Sequence, residues 1–259
     1  PAFDASIALM PLYFFKAQNA DPTEARTWAL KMEQLVDLIE RMSPDSDMFP
    51  NQYEAAALLG RWYADHGEME QARGKIHPFV KESIRDLTDR DNSNDYEAYN
   101  NLARALLCFG DRQNAAIAWA FTKPLRSAQE LMEEGLQSNA DWDMTSAPAF
   151  FADPATGVPL NFLIGRCDGG CDRSEATFKS FSMCEICVDV AFYDECHQKL
   201  MNGTATFRIC NPKHPLFEIY PPRGLVTKGA EGYKVHLDEE KVVSADEWLG
   251  MISREWLGS

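Results

Sequence analysis

The chain has no apolar run approaching the ~18 residues that span a bilayer, and its start lacks the charged-then-apolar pattern of a secretory leader. A glycine-rich phosphate loop, a GxSxG nucleophile elbow and an HExxH helix are also missing, which removes the common signatures of nucleotide binding, acyl transfer and zinc proteolysis. Positive charge is scarce: 25 Lys and Arg stand against 40 Asp and Glu, a net charge of −15. Such a surface repels phosphate backbones and argues against nucleic acid as a partner. The acidic residues are expected to solvate helix faces. The remainder is an ordinary globular mixture of 259 residues, 45% hydrophobic and 25% charged, enough for one large domain or two modest ones. The sequence opens on Pro1 rather than methionine and reads as part of something longer, intracellular and cytoplasmic, with no membrane partner.

The first half carries helical periodicity. Asp21-Pro22-Thr23-Glu24 places an N-cap, a proline at the first helical position and an acid three residues past the cap. Trp28, Met32, Leu35, Ile39 and Met42 then recur at spacings of three and four, the mark of one apolar helix face, until Ser43-Pro44-Asp45 stops it. An earlier helix is expected over most of 3–19, with Pro11 interrupting it. The stretch from Tyr53, YEAAALLGRWYADHGEMEQARGKI, matches the stretch from Tyr96, YEAYNNLARALLCFGDRQNAAIAW. Each copy reads as helix, glycine turn and helix. Gly60 and Ala103, then Ala72 and Ala115, are the small residues that allow close helix approach. His66 and His77 have no Cys or carboxylate at ligand spacing and are expected in surface or core roles, His77-Pro78 bending its helix. Cys108, within Leu106-Leu107-Cys108-Phe109, is expected to be a small buried hydrophobe.

Six of the seven cysteines fall between positions 167 and 210. They form Cys167-x3-Cys171, Cys184-x2-Cys187, a single Cys196, and Cys210-x3-His214. Pairs two or three residues apart can each present two ligands from one tight turn, and four such ligands make a tetrahedral zinc site. Gly165, Gly169 and Gly170 permit the sharp backbone of the first pair. The order of the pairs suggests a cross-brace, with Cys184, Cys187, Cys210 and His214 on one ion. Cys167, Cys171 and Cys196 then share another whose fourth ligand is missing, since Lys199 stands where a second cysteine would. His197, Asp194 or water are the candidates for that place, and a single bound zinc is the alternative. Three thiolates make an electron-rich, weakly acidic metal, and no glutamate is placed as a base, so catalysis is not expected.

Leu59-Gly60, Tyr63, Gly67, Ala72 and Phe79 resemble a tetratricopeptide-type hairpin, and Leu102-Ala103, Gly110 and Ala115 repeat most of that pattern, though the period exceeds the usual ~34 residues. The cysteine segment resembles the ZZ-type zinc finger in Cys167-Asp-Gly, in the approach to Cys184-x2-Cys187 and in Phe192-Tyr193-Asp194-Glu195-Cys196. More closely, residues 50–259 resemble the C-terminal region of a group of large fungal tetratricopeptide-like proteins, matching at Cys196, Lys199, Leu200, Gly203, Thr204, Cys210, His214, Pro221 and Pro222. The helical residues Gly110-Asp111 and Asn114-Ala115 share that likeness. The ZZ resemblance implies protein recognition and nominates Asp189, Asp194 and Glu195 as acids that would meet a cationic peptide end.

In the tail, Val235–Leu237 and Val242-Val243 suggest a short hairpin, and Ser244-x-x-Glu247 a capping box opening a helix. Trp248, Ile252 and Trp256 give that helix a bulky apolar stripe, expected to join the zinc module to the helices or to dock on a partner. The expectation is therefore a mainly α chain of tetratricopeptide-like hairpins followed by a small α+β zinc-binding module of ZZ or treble-clef kind. The divisions are a helical-repeat domain over 1–137, a linker over 138–161 marked by prolines, the zinc module over 162–222, and a hairpin with a C-terminal helix over 223–259. The function expected is non-catalytic protein or peptide recognition within a larger fungal protein. A ubiquitin-ligase-like module recruiting a conjugating enzyme, and a purely structural cap for a longer repeat array, are the alternatives.

Overall fold

The computed structural model describes residues 2–42, 50–90, 94–121, 167, 169, 171, 181–187, 190–205, 210–220, 225–229, 232–238 and 240–258. The expected linker over 138–161 and Asp189 lie outside the described residues. The chain is mainly helical, with two small sheets toward its C-terminal end. None of the described helices is long and apolar enough to cross a membrane.

Helix α1 (Ala2–Asn19) runs through Pro11 without a break. The sequence expectation of an interruption fails because Met10, Phe14 and Ala17 are buried, and their packing outweighs the backbone bond that proline forfeits. Helix α2 (Pro22–Met42) starts where its capping residue requires: Asp21 Oδ1 accepts from the backbone N–H groups of Thr23 (3.0 Å) and Glu24 (3.1 Å). Its buried face is rotated from the stripe read in sequence. Ala25, Ala29, Met32, Val36 and Ile39 are the buried set, while Trp28 and Leu35 border it. Alanine fills buried places on this face, and the bulkier Trp28 lies at its margin, against Tyr13 (5.3 Å between rings) with the Lys31 ammonium 3.9 Å over it.

Two further hairpins follow, α3 (Pro50–Asp65) with α4 (Met69–Leu87), and α5 (Asp95–Phe109) with α6 (Arg112–Phe121). Gly67 and Gly110, which match in the internal repeat, both adopt positive φ, at 74° and 94°. Gly110 caps α5, and the next residue, Asp111, caps α6 by accepting from the Asn114 N–H (3.2 Å). The repeat is a packing repeat too: Leu59 and Leu102, like Ala72 and Ala115, are completely buried. Pro78 sits within α4, which continues through it. Cys108 is buried, and His66 stacks on Trp62 with ring centroids 4.1 Å apart.

Gly60 marks where α3 and α4 meet most closely, for a Cβ there would lie 2.7 Å from Ile76 Cγ1. Gly60→Ala is expected to destabilise the chain by about 1–2 kcal/mol, the overpacking outweighing the gain in helix propensity. Gly74, on α4 with open space around it, serves as the control. There Gly74→Ala should stabilise by about 0.5–1 kcal/mol, both measured by urea denaturation.

The C-terminal part begins with the antiparallel sheet β2-β1-β3, built from β1 (Phe181–Cys184), β2 (Ala191–Tyr193) and β3 (Leu216–Tyr220). Met183 pairs with Ala191 on one side and Phe217 on the other. Helix α7 (Asp194–Met201) leaves directly from β2. A second sheet, β4 (Val226–Gly229), β5 (Gly232–His236) and β6 (Val242–Ser244), leads into α8 (Ala245–Leu257). The Ser244–Glu247 capping box is formed in full, with Glu247 N–H donating to Ser244 Oγ at 3.1 Å and Ser244 N–H to Glu247 Oε2 at 2.8 Å.

Helix α8 lays its stripe on the helical part. Trp248, Ile252 and Trp256 are buried; Trp248 Nε1 donates to Asn114 Oδ1 (2.8 Å), and its ring stacks on Phe121. Trp256 meets Phe109 edge-on, beneath the Arg73 guanidinium. Buried residues of the helices, both sheets and α8 thus form one continuous core.

Candidate metal centres

Cys184 ends β1, and the turn that follows brings Cys187 back beside it, with the Cys187 N–H donating to Cys184 Sγ at 3.1 Å. The second half of the ligand set comes from the turn before β3. There Asn211 accepts from the His214 N–H through its carbonyl (3.0 Å) and from the Lys213 N–H through its side chain (3.0 Å), folding His214 toward Cys210. His214 Nδ1 stands 3.5 Å from Cys184 Sγ, 3.4 Å from Cys187 Sγ and 3.6 Å from Cys210 Sγ, while Cys187 and Cys210 Sγ are 3.8 Å apart. A tetrahedral ion with thiolates at about 2.3 Å and an imidazole at about 2.0 Å has edges of about 3.8 Å (S to S) and about 3.5 Å (S to N). The four separations match edges of such a tetrahedron, and all four donor atoms lie within 4.8 Å of one another.

Cys167, Cys171 and Cys196 form the second cluster, their sulfurs all within 4.8 Å of one another. Cys196 is presented by the first turn of α7, and Cys167 Sγ accepts from the Tyr193 N–H at 3.4 Å, tying the cluster to the end of β2. Gly169 is required by close approach: a Cβ there would fall 2.3 Å from Cys196 Cβ and 2.8 Å from its Sγ. Gly169→Ala is accordingly expected to lower metal content by one ion per chain, read by elemental analysis, while leaving the first cluster loaded. Among the described residues, neither Asp194 nor His197 joins the three sulfurs as a fourth donor. The clusters contain all seven sequence-nominated ligands, sorted as the alternating pairs suggest.

Crowding sets the thiol chemistry. Hydrogen bonds from Cys187 and Cys210 pull the Cys184 thiol well below its ordinary value. Bonding to Cys184 pushes Cys187 up to about 12 and Cys210 up as well. Burial raises Cys167 and lifts Cys196 to about 12. A bound dication would displace the protons that these thiols carry.

Asp194 and Glu195, nominated as peptide-binding acids, occupy the first turn of α7, where their charge favours the helix N-terminus. One residue escaped the sequence reading. Glu185, inside the Cys184–Cys187 turn, is only 5% exposed, and its carboxylate pairs with the Arg112 guanidinium at the start of α6. A lone acid between two cysteines carries no signal of a partner so distant in sequence. Comparison of the chain with family models, with curated proteins and with solved structures found no match.

Proposed function

We propose that this chain is a non-catalytic protein-recognition scaffold: tetratricopeptide-like hairpins closed by a ZZ- or treble-clef-like module that two zinc ions fold. Cys184, Cys187, Cys210 and His214 would hold one ion, and Cys167, Cys171 and Cys196 the other. The observation that carries the reading is the set of 3.4–3.8 Å separations among the four donors of the first cluster, which suit zinc and its mixed sulfur–nitrogen preference. Thiolate-rich zinc is a weak Lewis acid, which favours a structural over a hydrolytic role. A reducing, cytoplasmic setting would keep the thiolates available for metal. The likeness to large fungal tetratricopeptide-like proteins supports a place within a longer chain.

A second reading, a purely structural cap of the helical array, draws support from the Trp248–Asn114 hydrogen bond and the burial of α8 on the helices. The two readings separate in a display screen of peptides against the metal-loaded chain, followed by mass analysis of what is retained. Bound, unaltered peptides are expected. A screen that retains nothing leaves the cap as the function, and cleaved or modified peptides contradict both.

A further inference from the structure

We propose that the ion held by Cys184, Cys187, Cys210 and His214, and not the ion of the three-cysteine cluster, latches the C-terminal cap onto the helical array through Glu185 and Arg112. The proposal rests on the metal reading above and goes beyond it in giving the two sites different roles.

Glu185 sits where the two halves of that ligand set meet. Its backbone N–H donates to the Pro215 carbonyl at 3.0 Å, joining the Cys184–Cys187 turn to the residue that follows His214. Its side chain pairs with Arg112, the first residue of α6. The same guanidinium lies 5.3 Å over the ring of Phe217, three residues past His214, and Phe217 in turn packs on Trp119 of α6 at 5.4 Å. Every one of these contacts comes from residues between the ligands of one cluster or immediately after them. Cys196 of the other cluster is carried by α7, which packs on β2, whereas α6 meets β3 and β4.

A four-ligand ion freezes the turn that aims Glu185, so the carboxylate is presented to Arg112 without further loss of freedom. With the ion gone, that turn and the 210–214 turn are no longer tied together. The Glu185 charge then has no fixed partner for its burial, which favours release. Coupling of this kind is reciprocal: if the ion strengthens the latch, the latch must strengthen ion binding by the same factor.

The test uses the full chain loaded with zinc and titrated with a chromophoric chelator, wild type beside Arg112→Ala and Glu185→Gln. One of the two ions is expected to leave about 5–10-fold more readily in both variants, within the ordinary range of coupling, while the other keeps its wild-type affinity. Hydrogen exchange supplies the second arm. Cys187→Ser should raise exchange in α6 and α8, and Cys171→Ser should leave both protected. If Cys187→Ser does not fold, the Arg112→Ala titration still decides. Unchanged release of both ions, or equal weakening of both, overturns the latch while leaving the metal reading intact. A chain that holds no zinc overturns the two together.

Discussion

Chelating the metal from this chain is expected to unfold β1, β2, β3 and α7 while α1–α5 remain helical. The asymmetry follows from where the apolar burial lies. The helices share a core that includes Trp62, Ile76, Leu59, Leu102 and Trp119, all essentially inaccessible to solvent. Among the described residues around the two cysteine clusters the buried apolar set is short: Met183, Ala191, Phe192, Tyr193, Leu200 and Phe217, on strands of 4, 3 and 5 residues and a helix of 8. Elements this small do not offset their own chain entropy by burial alone. Structural zinc ions supply about 10–16 kcal/mol at neutral pH, as much as the whole stability of a typical domain, so the module should exist folded only with its ions. Because the thiols must lose protons to bind, metal retention should also weaken as pH falls. Hydrogen exchange with and without a strong chelator reads this directly. Loss of protection over 181–205 and 210–220, extending to α6 and α8 but not to α1–α5, is the expected result; unchanged protection over 181–205 and 210–220 would contradict it.

Trp248→Ala should be the most damaging single substitution outside the cysteine clusters. The side chain is completely buried, its ring stacks on Phe121 with centroids 5.6 Å apart, and its Nε1 donates to Asn114 Oδ1 at 2.8 Å. Truncation removes a large aromatic from a filled site and should cost about 3–5 kcal/mol. Trp248→Phe keeps most of the ring but leaves the half-buried Asn114 oxygen without this donor, and should cost about 1–2 kcal/mol. Urea denaturation followed by far-UV circular dichroism distinguishes the two. A loss below about 1 kcal/mol for Trp248→Ala would mean that α8 is not a fixed part of the core.

How far the fold and the sites could be read from sequence depends on the range of the interaction concerned. The capping of α2 by Asp21 and of α8 by Ser244 is settled within three residues of chain, and both were legible. The ligand turns are equally local. Two cysteines three positions apart can share an ion only if the chain doubles back between them, which it does at Cys184–Cys187. The rotation of the α2 face was not legible, because Ala25 and Ala29 look unremarkable in a hydrophobic pattern yet are buried. Asn114 and Arg112 were harder still. Their partners Trp248 and Glu185 lie 134 and 73 residues away, and nothing local in sequence ties an asparagine on one helix to a tryptophan on another. Asn114 appeared in sequence only as part of a recurring Gly110-Asp111-x-x-Asn114-Ala115 pattern. In the fold the members of that pattern do separate things. Gly110 turns the chain, Asp111 caps α6, Asn114 holds Trp248, and Ala115 admits the neighbouring helix.

The central claim is that metal ions fold the C-terminal part of this chain and thereby complete its core. Elemental mass spectrometry of protein purified without added metal tests it most directly. Two zinc ions per chain are the expected result, one for Cys184, Cys187, Cys210 and His214 and one for Cys167, Cys171 and Cys196. A folded chain carrying no metal would contradict the account.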